Sequence, residues 1–187
     1  MTYILIFISA VFVNNIILSQ FLGICPVLGT STKMETSLGM SGAIAFVLTI
    51  TTIITYIVQK TVLVPFHLEF LQTITYIVLI AVLIQLLDSL LKKVSPALYQ
   101  VVGVYLPVIT TNCVILGVAL LVVKKDFNLV ESVVFAISTS IGFGLVLIIF
   151  AGIREQLNMV KLPESMEGAP AALITAGLLA MAFMGFA

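Results

Sequence analysis

The chain has 187 residues, of which 61% are hydrophobic and only 9% are charged, and this balance defines its class. Soluble proteins carry about 25% charged residues, so the composition is that of an integral membrane protein without a soluble domain for a nucleotide or flavin. Eight basic residues balance eight acidic ones, and no basic patch is present that could neutralise several phosphates, so nucleic acid is not an expected partner.

Apolar segments separated by short polar connections predict an all-α protein with six membrane spans, each near the roughly 20 residues that a bilayer requires. The spans run from about Tyr3 into the Cys25 region, and then over about 38–58, 70–91, 98–123, 129–153 and 169–186. The N-terminus lacks the basic segment of a signal peptide, so the first span is expected to be retained. In the longest connection, 154–168, the spacing of Leu157, Val160 and Leu162 predicts a short amphipathic turn at the interface.

The first and fourth spans are expected to be broken or re-entrant helices. Polar residues and helix breakers interrupt both of them: Asn14, Asn15, Ser19, Gln20, Gly23, Pro26 and Gly29 in the first, and Gly103, Pro107, Thr110, Thr111 and Asn112 in the fourth. Irregular backbone at membrane depth is tolerated only where protein or a cavity satisfies its polar groups. We therefore expect the two breaks to meet in the protein interior.

The pentapeptide C-x-x-L-G occurs twice, at 25–29 and at 113–117, each time in a broken span that two plain spans follow. The chain is therefore predicted to consist of two repeats, 1–94 and 95–187. Because each repeat has three spans, the second must insert in the opposite direction, which gives an inverted repeat about an axis in the membrane plane. That axis would bring Cys25 and Cys113 together near the middle of the membrane.

The distribution of basic residues predicts the orientation. One side would carry Lys33, Lys92, Lys93, Arg154 and Lys161, and the other Lys60, Lys124 and Lys125. Because basic residues concentrate in cytoplasmic connections, the larger group is expected to face the cytoplasm. Both termini would then lie outside the cell membrane.

The two cysteines are the candidate metal ligands. Thiolates are soft ligands that suit zinc, copper(I) or iron–sulfur clusters, and clusters usually require four of them. The one histidine, His67, lies in a connection, so a complete site must borrow ligands from another subunit or a second copy. Two other interpretations stay open at this point, a structural disulfide and a pair of inert buried thiols.

Several neighbours of the cysteines are secondary candidates. Gly29 and Gly117 would allow a cofactor to approach the backbone closely, or would simply pack helices together. Asn112, which precedes Cys113, is the first choice as a hydrogen-bond donor to cluster sulfurs. Five other polar residues could likewise donate to cluster sulfurs or line an ion path, or could form hydrogen bonds between helices: Asn14, Asn15, Gln20, Thr110 and Thr111. Asp88, Glu35 and Glu131 could mark a cation route, although an interfacial ion pair for Asp88 and helix-dipole stabilisation for the two glutamates are the simpler interpretations.

Residues 14–26 (NNIILSQFLGICP), 106–113 (LPVITTNC) and 150–155 (FAGIRE) resemble the family of A-type membrane subunits of the Rnf complex. The likeness covers the whole chain and extends to the E-type subunit of the sodium-pumping NADH:quinone reductase. It implies a membrane complex that passes electrons between reduced ferredoxin and NAD and translocates Na⁺ or H⁺, with flavin- and iron–sulfur-carrying subunits as partners. It also implies a homologous partner of opposite topology, the E-type subunit of the Rnf complex, and one [2Fe-2S] cluster between the two chains. Cys25 and Cys113 would supply two of its four ligands.

Two other functions remain open from the residues themselves. A small inverted-repeat transporter without a redox role would tolerate replacement of Cys25 and Cys113, and no iron would co-purify with it. A membrane assembly factor would bind metal through the same thiols only transiently.

Overall fold

The computed structural model describes residues 2–30, 34–63, 71–94, 108–109, 112–159 and 168–185. Throughout these residues the regular structure is helical and contains no strand, as the composition predicts. Helices suit an apolar chain in lipid because a helix satisfies its backbone polar groups within one segment. Among the predicted features, His67, Thr110, Thr111, Val160, Leu162 and the join at 95–97 lie outside the described residues.

Eight α-helices and two π-helical segments make up the described structure. They are α1 (Thr2–Ile8), π1 (Ser9–Val13), α2 (Ile16–Gln20), α3 (Ile24–Thr30), α4 (Met34–Val58), π2 (Gln59–Leu63), α5 (Gln72–Val94), α6 (Cys113–Lys124), α7 (Leu129–Met159) and α8 (Ala169–Met184). Within the described ranges, α4, α5 and α7 provide three helices that are long and apolar enough to cross a membrane. The segment Tyr3–Val13, α6 and α8 are apolar but shorter. The second, third and fifth predicted spans therefore have full-length helices, and the complete six-span inverted repeat stays a prediction.

Several helices extend beyond their predicted ends. Helix α5 continues to Val94, and α7 continues through Leu157 to Met159. The prediction of an interfacial turn that includes Leu157 was therefore wrong for this residue, which lies inside α7. Arg154, Glu155 and Gln156 are good helix formers, so the change from apolar to polar residues does not end the helix.

The first span is broken, as predicted. The first break lies at Asn14–Asn15, where the Asn15 side-chain oxygen accepts the N–H of Ile17 at 3.1 Å and so caps α2. The second break follows at Phe21 and Gly23, whose φ angles are +55° and +88°. Pro26 lies in the first turn of α3, where the missing N–H costs nothing.

Helix α7 is the central element of the packing. Helix α4 runs antiparallel to it, since Gly144 approaches Ser41 and Gly152 approaches Met34. The broken first span runs parallel to α7, since Ala10 lies beside Gly142 and Leu28 lies beside Arg154. The largest fully buried side chains on α4 and α7 are Met40, Ile44, Leu48, Phe143, Leu147 and Phe150. The segment that carries Cys25 therefore lies alongside α7.

Candidate site at the two cysteine motifs

The first helix break contacts the start of α6 at Gly23, in the protein interior. The sequence predicts that the two breaks meet in the interior without indicating the residue, and Thr110 and Thr111 of the second break lie outside the described residues. A Cβ atom built on Gly23 would lie 2.4 Å from Cγ2 of Val114, 3.1 Å from Cε2 of Phe143 and 3.5 Å from Oδ1 of Asn112. The residue also has a φ of +88°, which L-residues with side chains rarely adopt. Only glycine therefore allows the first break to pack against the start of α6.

A second glycine on α6 extends this contact. A Cβ atom on Gly117 would lie 2.7 Å from Cδ1 of Leu22 and 3.5 Å from Cδ1 of Ile16. Gly117 is one turn after Cys113, so it lets the first turn of α6 lie close to the residues that precede Gly23. The close approach at Gly117 is thus made by Leu22, between α2 and α3, and by Ile16 of α2.

The cysteines flank this contact. Cys25 lies in the first turn of α3, two residues after Gly23, and Cys113 is the first residue of α6, directly before Val114. Both thiols are free and both side chains are exposed. The structure therefore contains no disulfide between them, and neither thiol is an inert buried side chain within this chain.

Asn112 fixes the start of α6 and retains an unused donor. Its backbone is extended (φ −76°, ψ 115°), and its Oδ1 accepts the N–H of Val114 at 3.1 Å, which caps the helix. The side chain is only 5% exposed, and its Nδ2 has no hydrogen-bond partner in the described part of the chain. Leaving a buried donor unsatisfied costs about 1–3 kcal/mol. An acceptor that came within hydrogen-bond distance of Nδ2 would remove that cost.

Asn15 is not available as such a donor. Its Nδ2 donates to the carbonyl oxygens of Val11 and Gly142, both at 3.0 Å, and its Oδ1 caps α2. These bonds use both N–H groups of the amide, so the residue ties the first break to α7. Its neighbour Asn14 donates instead to Oγ of Ser9 at 3.2 Å.

The other candidate residues have different environments. Gly29 is exposed, and a Cβ atom there would meet no described atom within 4 Å, so no described helix packs on it. Glu131 accepts the N–H of Asn128 at 3.1 Å, the geometry of a capping box at the start of α7. Glu35 lies in the first turn of α4 and Asp88 on α5. Glu131 is therefore explained by helix capping.

A cleft of about 580 Å³ opens on the other side of the first break. Its walls are formed by Leu5, Ile6, Ser9, Ala10, Asn14, Gln20, Leu121, Lys125, Phe127 and Phe135. The Nζ of Lys125 lies 5.7 Å and 5.4 Å from the ring centres of Phe127 and Phe135, within the range of cation–π attraction. Asn14 and Gln20 therefore face this cleft rather than the contact at Gly23.

The thiols fit half of an iron–sulfur site. Across the described ranges, no group of three or more His, Cys, Asp or Glu side chains could hold a metal ion. Cys25 and Cys113 are two free, exposed thiols, and the buried Nδ2 of Asn112, the residue before Cys113, is an unused donor among the described residues. This donor set suits a cluster whose remaining thiolates come from another chain.

Sequence reasoning did not identify Gly23 or Arg154 as contributors to this region. Gly23 was recognised only as a helix breaker, although its position two residues before Cys25 was a usable signal. Arg154 donates to the carbonyl oxygen of Leu28 over a separation of 126 residues, and nothing in the local pattern indicates that contact.

Comparison with known proteins points to one family of membrane subunits. The family model described as "Rnf-Nqr subunit, membrane protein" matches residues 3–187. The chain is 52% identical over 186 residues to the A-type subunit of the Na⁺-translocating ferredoxin:NAD⁺ oxidoreductase complex of Acetobacterium woodii, a match that covers 100% of this chain and 97% of that protein. It is 50% identical over 183 residues to the A-type subunit of the ion-translocating oxidoreductase complex of Syntrophotalea carbinolica, with 98% and 95% covered. The protein of the same description from Actinobacillus pleuropneumoniae serotype 5b is 50% identical over 184 residues, with 98% and 95% covered.

Proposed function

Because the chain belongs to the Rnf-Nqr family of membrane subunits, we propose that it is the A-type subunit of an ion-translocating oxidoreductase complex. The relatives that match over almost their full length are described as A-type subunits of ion-translocating oxidoreductase complexes. The name of one of them specifies Na⁺ as the ion and ferredoxin and NAD⁺ as the redox partners. The proposed role is electron transport coupled to ion translocation within the cell membrane. The flavin- and iron–sulfur-carrying subunits of the complex would be its partners.

Within that complex, Cys25 and Cys113 supply two thiolate ligands to a [2Fe-2S] cluster. The observation that carries this assignment is the contact at Gly23, which brings the two cysteine-bearing segments together while both thiols stay free and exposed. A homologous subunit of opposite topology would contribute the other two thiolates. The proposed inverted repeat of 1–94 and 95–187 explains why such a partner would present a matching pair.

The residues of this chain would hold the group and adjust its environment. When bound, the cluster supplies one-electron chemistry inside the membrane. The Nδ2 of Asn112 is the candidate donor to a cluster sulfur, because it is buried without a described partner one residue before Cys113. Hydrogen bonds to the sulfurs and low solvent exposure are the features by which proteins set the potential of such groups. Because a Cβ atom on Gly29 would meet no other described part of the chain within 4 Å, a cofactor or partner has room to approach it there.

The test is replacement of the thiols in the purified complex. Cys25→Ser and Cys113→Ser change size little but remove a soft ligand, so each variant should lose one iron–sulfur signal in EPR and the corresponding iron and sulfide. Ser19→Ala, a small change at an exposed residue of α2, is the matched control and should keep both. Full activity with unchanged iron in both cysteine variants would favour a transporter without a redox role.

The shared site makes a separate prediction about stoichiometry. The chain expressed alone should hold no stable cluster, because two thiolates are half of a four-ligand set. Co-expression with the homologous membrane partner should restore it. Two irons per monomer in the chain purified by itself would contradict the shared site.

A further inference from the structure

Arg154 of α7 makes a long-range contact with the first cysteine motif. Its Nη1 donates a hydrogen bond of 2.6 Å to the carbonyl oxygen of Leu28, which is 126 residues away in sequence. Leu28 lies three residues after Cys25 in α3 and belongs to the same pentapeptide. Both partners are half-buried, so the bond is only partly open to solvent.

The contact satisfies a need that α3 cannot meet itself. The last four carbonyl groups of a helix have no partner within the helix, and Leu28 is among them in this seven-residue element. A cation near a helix C-terminus is favourable, and a charge-assisted hydrogen bond is stronger than a neutral one. So short a helix also depends on tertiary contacts for its position. Helix α7, with 31 residues, is a rigid element on which to fix it.

The second cysteine motif does not need a distant side chain to satisfy its backbone carbonyl groups. Helix α6 has 12 residues and begins at Cys113, so the carbonyl groups of its first turn are bonded within the helix. Asn112 caps its first turn from the same segment of chain. The two cysteines are therefore held by different means, one by a local cap and the other by a distant arginine.

We propose that Arg154 is a positioning residue that holds the Cys25 helix against α7 and places a fixed positive charge close to that motif. The electrostatic part of this inference rests on the proposed cluster, whereas the positional part does not. A fixed positive charge near a one-electron centre stabilises its reduced form, which carries one more negative charge. Electrons from the iron–sulfur or flavin carriers of the partner subunits would therefore meet a centre with a higher potential.

The positional part is tested by thiol reactivity in the whole complex. In a Cys113→Ser background, where Cys25 is the only thiol of this chain, Arg154→Gln should change the maleimide labelling rate of Cys25 at least threefold, because α3 is no longer held against α7. In a Cys25→Ser background the same change should leave Cys113 unaffected, and Arg154→Lys should restore much of the rate seen with Arg154. Unchanged labelling of Cys25, or equal changes at both thiols, would overturn the positioning role.

The electrostatic part is tested by an EPR-monitored redox titration with both cysteines present. Arg154→Gln should shift the reduction equilibrium about tenfold towards the oxidised form, equal to about 59 mV for one electron. Lys124→Gln, which removes an exposed positive charge at the far end of α6, should leave the potential unchanged. A wild-type complex without any signal of this cluster refutes the proposed function, whereas a normal signal that Arg154→Gln does not shift refutes only this inference.

Discussion

Gly23→Ala is expected to separate the first helix break from α6. The φ of +88° costs about 1–3 kcal/mol for a residue with a side chain. The new Cβ would lie 2.4 Å from Cγ2 of Val114, far inside the roughly 3.5–4.0 Å at which carbon atoms attract. Val114 and Phe143 are fully buried, and a valine in a helix has one preferred rotamer, so neither can move aside cheaply. Overpacking of this kind costs a further 1–3 kcal/mol or so, which makes the expected loss about 2–6 kcal/mol.

Gly42→Ala is the matched control for that substitution. The same change at this exposed residue of α4 adds a methyl group that no described atom approaches within 4 Å, inside a regular helix where alanine is the better residue. The assay is thermal unfolding of the purified complex together with its iron content. A loss of about 2 kcal/mol corresponds to about 4–8 °C in Tm for a chain of this size. If the two variants melt within about 2 °C of each other and bind equal iron, the packing argument at Gly23 is wrong.

Three further predictions concern the asparagines and the orientation. Asn112→Ser keeps an oxygen to cap α6 but replaces the Nδ2 amide donor with a hydroxyl on a shorter side chain, so EPR titration should show a lower cluster potential with Tm nearly unchanged; an unchanged potential would remove Asn112 from the site. Asn15→Ala loses the cap and both carbonyl contacts, and should lower stability by about 2–4 kcal/mol, measured as Tm, with Ser19→Ala as reference. A cysteine at Asn128 should react with an impermeant maleimide from outside intact cells and one at Ser95 should not; the reverse pattern would invert the topology.

The glycines show where sequence interpretation reaches its limit. The pentapeptide repeat made Gly29 and Gly117 equivalent candidates, but only Gly117 is approached closely by another part of the described chain. Gly23, outside the pentapeptide, makes the tightest contact of the three. Which glycine must lack a side chain depends on what lies opposite it, and a repeat in the sequence carries no information about that.

The two capping asparagines make the same distinction. Asn15 and Asn112 both accept a backbone N–H two residues ahead, a local interaction for which asparagine at a helix start is well suited. The amide of Asn15 also reaches the carbonyl of Gly142, whereas that of Asn112 finds no described partner. The Asn15 amide links the first break to α7, whereas the Asn112 amide keeps an unused donor among the described residues. Their surroundings, not their residue type, make this difference.

The sequence by itself determined the class of the protein, the helices of the long apolar spans and the two interrupted segments. Those features follow from hydrophobicity and local backbone chemistry, which act over a few residues. Only the tertiary structure decided that the breaks meet at Gly23 and that Arg154 reaches Leu28. Contacts between residues about 90 to 126 positions apart depend on how rigid helices cross, and α7, lying beside the whole broken first span, sets that geometry.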